Sequence, residues 1–200
     1  MRAFALNCTL KPGPDPSSTD LLIDQIATEL RRFDVGLDRA RVGDHDVRPG
    51  VTADEGDGDA WPDLRRRLLD AELFVLATPI WMGHPSSHAQ RVLERLDAFL
   101  GDTDDRDQMR TVDRVAMVAV VGNEDGAHHV GAELFQGLND TGFTLAPGAM
   151  TYWVGEAMQG TDYKDLPETP EKTAQTTRTM VVNAVHLATV LAATPYPALG

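Results

Sequence analysis

The residues best suited to bind a ligand lie in one short segment, 77–87, which reads Ala-Thr-Pro-Ile-Trp-Met-Gly-His-Pro-Ser-Ser. Trp81 offers a flat apolar face for stacking, and Gly83 lets a ligand approach the backbone closely. Pro79 and Pro85 stiffen the chain on either side. These residue types predict a binding site for a flat aromatic ligand.

This segment lies where a predicted strand gives way to a predicted helix. Residues 73–77 form an apolar run that is too short for a helix and indicates a buried strand. After the segment, apolar residues recur at helical spacing between Ala89 and Leu100. Ligands bind at the carboxyl ends of strands in open parallel sheets, so the segment is expected to face a ligand site.

Strands and amphipathic helices alternate along the whole chain. The apolar runs predict strands at 2–6, 35–41, 73–77 and 115–121, with a fifth near 143–145 or after Pro147. Helices are predicted to begin near Thr19, Trp61, Ser87, His129 and Pro170. The acidic, glycine-rich stretch 43–60 is typical of a long, mobile surface loop. The pattern predicts one α/β domain over residues 1–200, a three-layer α/β/α sandwich around a parallel sheet.

Three loops are predicted to meet at one edge of this sheet. The first, 7–18, offers hydroxyls and backbone N–H groups before a helix, where phosphate binds well. The second is the segment described above, and the third is the glycine-containing turn 122–128. Each loop alone also fits an ordinary structural role such as helix capping, so their coincidence at one edge carries the prediction. The candidate binding residues are Thr9, Ser17, Ser18, Thr19, Pro79, Ile80, Trp81, Met82, Gly83, Gly122, Asn123, Glu124, Gly126 and His128.

Charge and cysteine content exclude several classes of function. The formal net charge of −13 argues against a nucleic-acid or anionic-membrane surface. The single cysteine, Cys8, excludes an intrachain disulfide and a Cys-based zinc cluster. The adjacent residues His128 and His129 point about 100° apart on a helix, so no metal site is expected. No stretch reads as a signal peptide or membrane span, and a cytoplasmic location is expected.

Two segments resemble a known family. Residues 78–87, followed by a helix with Gln90, Leu93 and Asp97, resemble the ring-binding segment T-P-I-Y-x-G-x-x-S of NADPH-dependent FMN reductases in the flavodoxin-like superfamily. Residues 121–129 resemble the third flavin loop of such proteins. The resemblance covers about residues 1–155 and implies a flavodoxin-like sheet with strand order 2-1-3-4-5. Two features depart from the family: the first loop lacks a compact Gly-Ser-x-Arg start, and Trp81 stands where tyrosine is commoner.

The resemblance implies a ping-pong oxidoreductase that uses FMN as cofactor and NAD(P)H as co-substrate. The acceptor would be a small molecule such as a quinone, a flavin, or a nitro or azo compound. FMN supplies the redox chemistry, so no catalytic residue is named. His84 and His128 are candidates for supplying protons or orienting the substrate.

The family's tendency to dimerise implies a homodimer or homotetramer. Tyr152, Trp153 and Met158 then either pack in the core or cover the flavin of a second subunit.

Other readings of the sequence remain open. A flavodoxin-type electron carrier and a non-catalytic flavin-binding or interaction protein share the same fold. A phosphorelay receiver is disfavoured because Asn7 and Thr78 stand where it needs acidic residues. A dinucleotide-binding Rossmann enzyme needs Gly-x-Gly-x-x-Gly after the first strand, and residues 7–18 contain only Gly13. The sequence does not indicate which acceptor is used or whether NADH or NADPH is preferred.

Overall fold

The computed structural model of the chain describes residues 1–157 and 159–200, so Met158 of the predicted aromatic patch lies outside the described residues. Within that part, strands alternate with helices as predicted. The strands are β1 (Arg2–Asn7), β2 (Gly36–Arg41), β3 (Leu73–Trp81), β4 (His84–Pro85), β5 (Val115–Gly122) and β6 (Thr144–Val154). The helices are α1 (Ser18–Arg31), α2 (Trp61–Leu69), α3 (Ser87–Leu96), α4 (Ala127–Asp140) and α5 (Glu171–Ala193). Among these described helices, none combines the length and the apolar character that a membrane crossing requires.

The five long strands form one parallel sheet in the order β2-β1-β3-β5-β6. Counted without the two-residue β4, this is the predicted order 2-1-3-4-5, and the predicted flavodoxin-like fold is confirmed. β2 lies at one edge of this sheet. β6 joins both predicted positions of the fifth strand, because a register shift opposite Ala116 and Val118 carries it past Pro147. The short β4 was not predicted, and it pairs antiparallel with the end of β3.

The hydrophobic core lies on both faces of the sheet because alternate residues of a strand point to opposite sides. On one face, Phe74 and Leu76 of β3 pack with α2, α3 and α4. On the other face, Val75 and Ala77 pack with α1 and α5. Both faces of the central strands are thus covered, which explains why their sequences are continuously apolar rather than alternating.

The segment 43–60 is attached more firmly than its sequence suggests. We predicted a mobile surface loop, but the structure buries Val47 and anchors the segment to α3. The guanidinium of Arg95, which is fully buried, donates to the Asp59 carboxylate at 2.7 Å and to the Arg48 carbonyl at 3.0 Å. A buried charge pair of this kind fixes the geometry of the segment, because either partner alone would be a costly buried ion.

Candidate functional site

A cleft of about 510 Å³ lies at the carboxyl edge of the sheet, where the loops after β1, β3 and β5 come together. Its size falls within the roughly 300–1,000 Å³ of small-molecule sites. Its position is the one expected for a ligand in an open parallel sheet. Ligands bind where the connections that follow two neighbouring strands run to opposite faces of the sheet. The cleft is therefore the candidate functional site.

All three predicted loops contribute to the lining of this cleft. The first loop contributes Thr9, Ser17, Ser18 and Thr19, and the segment after β3 contributes Pro79, Ile80, Trp81 and Met82. The third loop contributes Gly122, Asn123 and Glu124. The structure thus brings together residues that are up to 115 positions apart in the chain, as the sheet topology requires.

Three predicted residues lie outside the lining: Gly83, Gly126 and His128. Gly83 and Gly126 pack against each other instead, and a Cβ on Gly126 would lie 3.0 Å from the Gly83 Cα. Both have positive φ, +78° and +115°. These glycines therefore permit the second and third loops to approach, which is a structural role that their residue type also predicts.

Neither histidine that we considered for proton transfer lines the cleft. The His128 Nε2 lies 3.1 Å from the Tyr152 hydroxyl oxygen, at a second hollow beside β6. His84 lies in the short β4 and contacts Glu133 of α4.

Trp153 packs against the ring of Tyr163, with ring centroids 5.2 Å apart. For Trp153, this contact favours packing within the chain over a place at the interface with a second subunit.

The turn between β3 and β4 presents the two most exposed apolar side chains of the site. Trp81 pairs with His84, which leaves Met82 and Gly83 as a two-residue hairpin loop. Both have positive φ, +54° and +78°, as in a type I′ turn. Trp81 is 54% exposed and Met82 is 86% exposed. This hairpin has little signal in the sequence, because Met-Gly is not among the dipeptides that favour such turns.

The N-terminus of α1 forms the polar end of the cleft. Ser17 caps the helix, because its hydroxyl oxygen accepts a hydrogen bond from the Asp20 N–H at 3.2 Å. Ser17 therefore has the ordinary capping role that the first loop also fits. The N–H groups of Ser18 and Thr19 belong to the first turn and have no helical carbonyl to bond. Together with the helix dipole they make this end of the cleft suitable for an anion.

Arg41 holds the first loop in place from the neighbouring strand β2. Its guanidinium donates to the carbonyls of Pro12 at 2.6 Å, Lys11 at 3.2 Å and Asp15 at 3.0 Å. It also pairs with the carboxylate of Asp20. This loop lacks the compact Gly-Ser-x-Arg start described above, and the partly buried Arg41 holds it in place through these contacts.

The sequence reasoning missed the contribution of residues 159–162 and of Lys11. Gln159, Gly160 and Asp162 line the cleft together with Lys11. The Asp162 carboxylate accepts a hydrogen bond from the Asn123 amide at 2.8 Å and lies 3.9 Å from the Lys11 ammonium. Asp162 thus joins the first and third loops. No local pattern marks it, because its partners are distant in sequence.

Ser86 ties the segment after β3 to the end of β1. Its hydroxyl donates to the Cys8 carbonyl at 2.6 Å, and its N–H donates to the Thr78 hydroxyl oxygen at 3.0 Å. The Ser86 hydroxyl oxygen also accepts a hydrogen bond from the Ala89 N–H at 3.2 Å, which caps α3. Burial raises the pKa of the Cys8 thiol well above its usual range, which disfavours the reactive thiolate form.

Comparison with known proteins places these features in a family. Residues 1–159 match the sequence profile of the family described as NADPH-dependent FMN reductase. The protein "Divalent metal cation transporter MntH" of Mycobacterium bovis is 37% identical over 96% of this chain. The 8-demethyl-8-aminoriboflavin-5′-phosphate synthase of Streptomyces davaonensis is 33% identical over 98% of this chain. This chain spans 29% of the length of the first relative and 80% of the second.

A similar protein has also been solved with a flavin derivative. The structure of RosB with the bound intermediate 8-demethyl-8-formylriboflavin-5′-phosphate superimposes on this chain with a TM-score of 0.88. The two are 33% identical, and the alignment covers 98% of this chain and 82% of RosB.

We predict that replacing Ser86 disturbs the scaffold beneath the cleft. The Ser86→Ala change removes the cap of α3 and leaves the buried Cys8 carbonyl without its donor, and should lower the free energy of unfolding by about 2–4 kcal/mol. Urea denaturation measures this loss. Ser87→Ala, at the exposed next position, is the matched control and should change stability by less than about 0.5 kcal/mol. Equal losses in the two variants would contradict the assigned role of Ser86.

Proposed function

The chain belongs to the NADPH-dependent FMN reductase family, and on this premise we propose that it passes hydride from NAD(P)H through bound FMN to a small-molecule acceptor. The acceptor classes we propose are quinones, flavins, and nitro or azo compounds. The observation that carries the proposal is a single cleft lined both by the first turn of α1 and by the exposed Trp81. A flavin mononucleotide needs these two features together, one for its phosphate and one for its ring.

We assign the phosphate of FMN to the polar end of the cleft. The N–H groups of Ser18 and Thr19 supply donors, and the hydroxyl of Thr9 lies in the same lining. Lys11 adds a positive charge on this side, although its nearest acidic neighbour, Asp162, partly offsets it. The anion is thus bound mainly by backbone groups and the helix end, which suits a protein with a strongly negative total charge.

We assign the isoalloxazine ring to the space between the hairpin and the third loop. Pro79, Ile80 and Trp81 provide an apolar wall, and we assign Asn123, which also lines the cleft, to the polar edge of the ring. Bound FMN supplies the two-electron acceptor and donor that this chemistry requires. The chain positions the ring, and its half-exposed tryptophan leaves an open apolar mouth in which a nicotinamide and then a planar acceptor can stack in turn.

Replacing the tryptophan should weaken FMN binding measurably. We expect Trp81→Ala to lower the affinity roughly tenfold, about 1.5 kcal/mol, because the stacking surface is lost. Quenching of FMN fluorescence on titration with the apoprotein measures this change. Trp81→Tyr keeps an aromatic face and serves as the matched variant, with an expected loss below about threefold. An unchanged affinity of Trp81→Ala for FMN would show that the ring does not stack on the hairpin.

The reaction itself is tested by mixing FMN-loaded protein with NADPH or NADH in the absence of oxygen. We expect the flavin absorbance band to bleach faster than it does with the same concentration of free FMN. Addition of a quinone should then restore the band. A bound flavin that dithionite reduces but that neither nucleotide reduces would favour the electron-carrier reading instead.

A second candidate function is chemical modification of FMN as a substrate. It is favoured by one observation, the TM-score of 0.88 to a structure that holds an 8-formyl derivative of the flavin. Incubation of the FMN-loaded protein in air with an added amine donor distinguishes the two, because oxidation of the 8-methyl group to a formyl group needs an oxidant such as dioxygen and an 8-amino product needs a nitrogen source. Mass spectrometry of the recovered flavin supports the reductase if the FMN is unmodified, and the modifying enzyme if a formyl or amino derivative is present.

We also propose that the working form is a homodimer or homotetramer. An apolar hollow of about 520 Å³ between α4 and the open edge of β6 supports this, with Phe135, Leu145 and Met150 in its lining. Light scattering on the FMN-loaded protein measures the mass directly, and a monomer would remove this part of the proposal.

A further inference from the structure

Three metal-ligating side chains converge on the outer side of the hairpin, apart from the cleft lining. His84 is in β4, while His129 and Glu133 lie one turn apart on α4. The Glu133 Oε1 lies 3.0 Å from the His84 Nδ1 and 2.7 Å from the His129 Nε2. The two ring nitrogens are 3.3 Å apart. We propose that these three residues bind a divalent transition-metal ion, with Zn²⁺ as the first candidate.

The size of this triangle fits the proposal. Donor atoms about 2.1 Å from a tetrahedral zinc ion lie roughly 3.4 Å from one another. The observed separations of 2.7, 3.0 and 3.3 Å therefore need to widen by only a few tenths of an ångström. Two imidazoles and one carboxylate suit zinc and its transition-metal neighbours, whereas Mg²⁺ and Ca²⁺ prefer oxygen donors alone.

Hydrogen bonding alone gives a poorer account of the same geometry. Both ring nitrogens contact the same oxygen of Glu133, so each must carry a proton in order to donate to it. Two N–H groups then face each other across 3.3 Å. A cation in place of these protons satisfies the lone pairs of both nitrogens and of the carboxylate at once.

The two elements that carry the ligands are already held together. Gly83, next to His84, packs against Gly126 at the N-terminus of α4. The ligand arrangement is therefore present in the folded chain rather than assembled by the metal. The side chains of His84 and His129 are 62% and 56% exposed, which leaves the fourth coordination position open to water.

The proposal departs from our sequence-based expectation of no metal site. That expectation considered only the adjacent pair His128 and His129. In the structure, His128 contacts Tyr152 instead. The actual partner of His129 is 45 residues earlier in the chain, in the hairpin that the sequence did not indicate. A metal here joins the hairpin of Trp81 to α4, and it acts as a clamp on the wall of the cleft.

The test uses FMN-loaded protein without a histidine tag. Isothermal titration with ZnCl₂ should give one bound Zn²⁺ per chain, and Zn²⁺ should raise the Tm, whereas MgCl₂ should do neither. Loss of a residue that only hydrogen-bonds to a metal ligand weakens metal binding by roughly tenfold or more. His84→Ala and His129→Ala each remove a ligand itself, so each should weaken zinc binding by more than about tenfold. Glu133→Gln should weaken it too, because the carboxylate charge is lost. His128→Ala is the matched control on the same helix and should bind zinc as the unaltered protein does.

Three outcomes overturn the proposal. The first is the absence of saturable zinc binding, and the second is an affinity that His84→Ala leaves unchanged. The third is an equal loss in His128→Ala, which would indicate general binding to surface histidines. Circular dichroism of each variant confirms that it is folded, and the zinc-dependent rise in Tm provides a second readout that should vanish in His84→Ala and persist in His128→Ala.

Discussion

The arrangement of the site depends on the hydrogen bonds made by the buried hydroxyl of Ser86. Strands β1 and β3 are neighbours in the sheet, but their chains diverge beyond its edge, so something must fix their loops relative to each other. Ser86 does so by bonding to the Cys8 carbonyl, to Thr78 and to the first turn of α3. Because these groups are buried, water cannot replace a lost partner, and the network defines one geometry.

Close backbone packing extends this order to the third loop. A Cβ on Gly122 would lie 2.9 Å from the Cβ of Ile80, and Gly126 meets Gly83 at a similar distance. The loops after β3 and β5 can therefore approach only where side chains are absent. The consequence is a cleft in which close backbone contacts set the spacing of the loops, while Trp81 and Met82 remain its large exposed side chains.

The sequence predicted the parts of the site that depend on local pattern. Apolar periodicity located the five long strands, and turn residues located the loops that line the cleft. It could not predict contacts between distant segments, such as Asn123 with Asp162 or Arg41 with the carbonyls of the first loop. These contacts depend on which loops the sheet order makes adjacent. The contact between His84 and His129 was missed for the same reason, because His84 lies in a hairpin that has little signal in the sequence.

The site combines a buried hydrogen-bond network around Ser86 with the exposed side chains of Trp81 and Met82. This combination explains why the fold alone does not separate a reductase from an enzyme that modifies FMN. Under the proposed placement of FMN, both would hold the phosphate at the N-terminus of α1 and the ring against the hairpin, and the same buried network would support either. They differ in whether the flavin remains while other molecules enter, or itself leaves as product. That difference depends on the free energy of binding and on access at Trp81 and Met82, and any clamp between the hairpin and α4 acts on this part of the cleft.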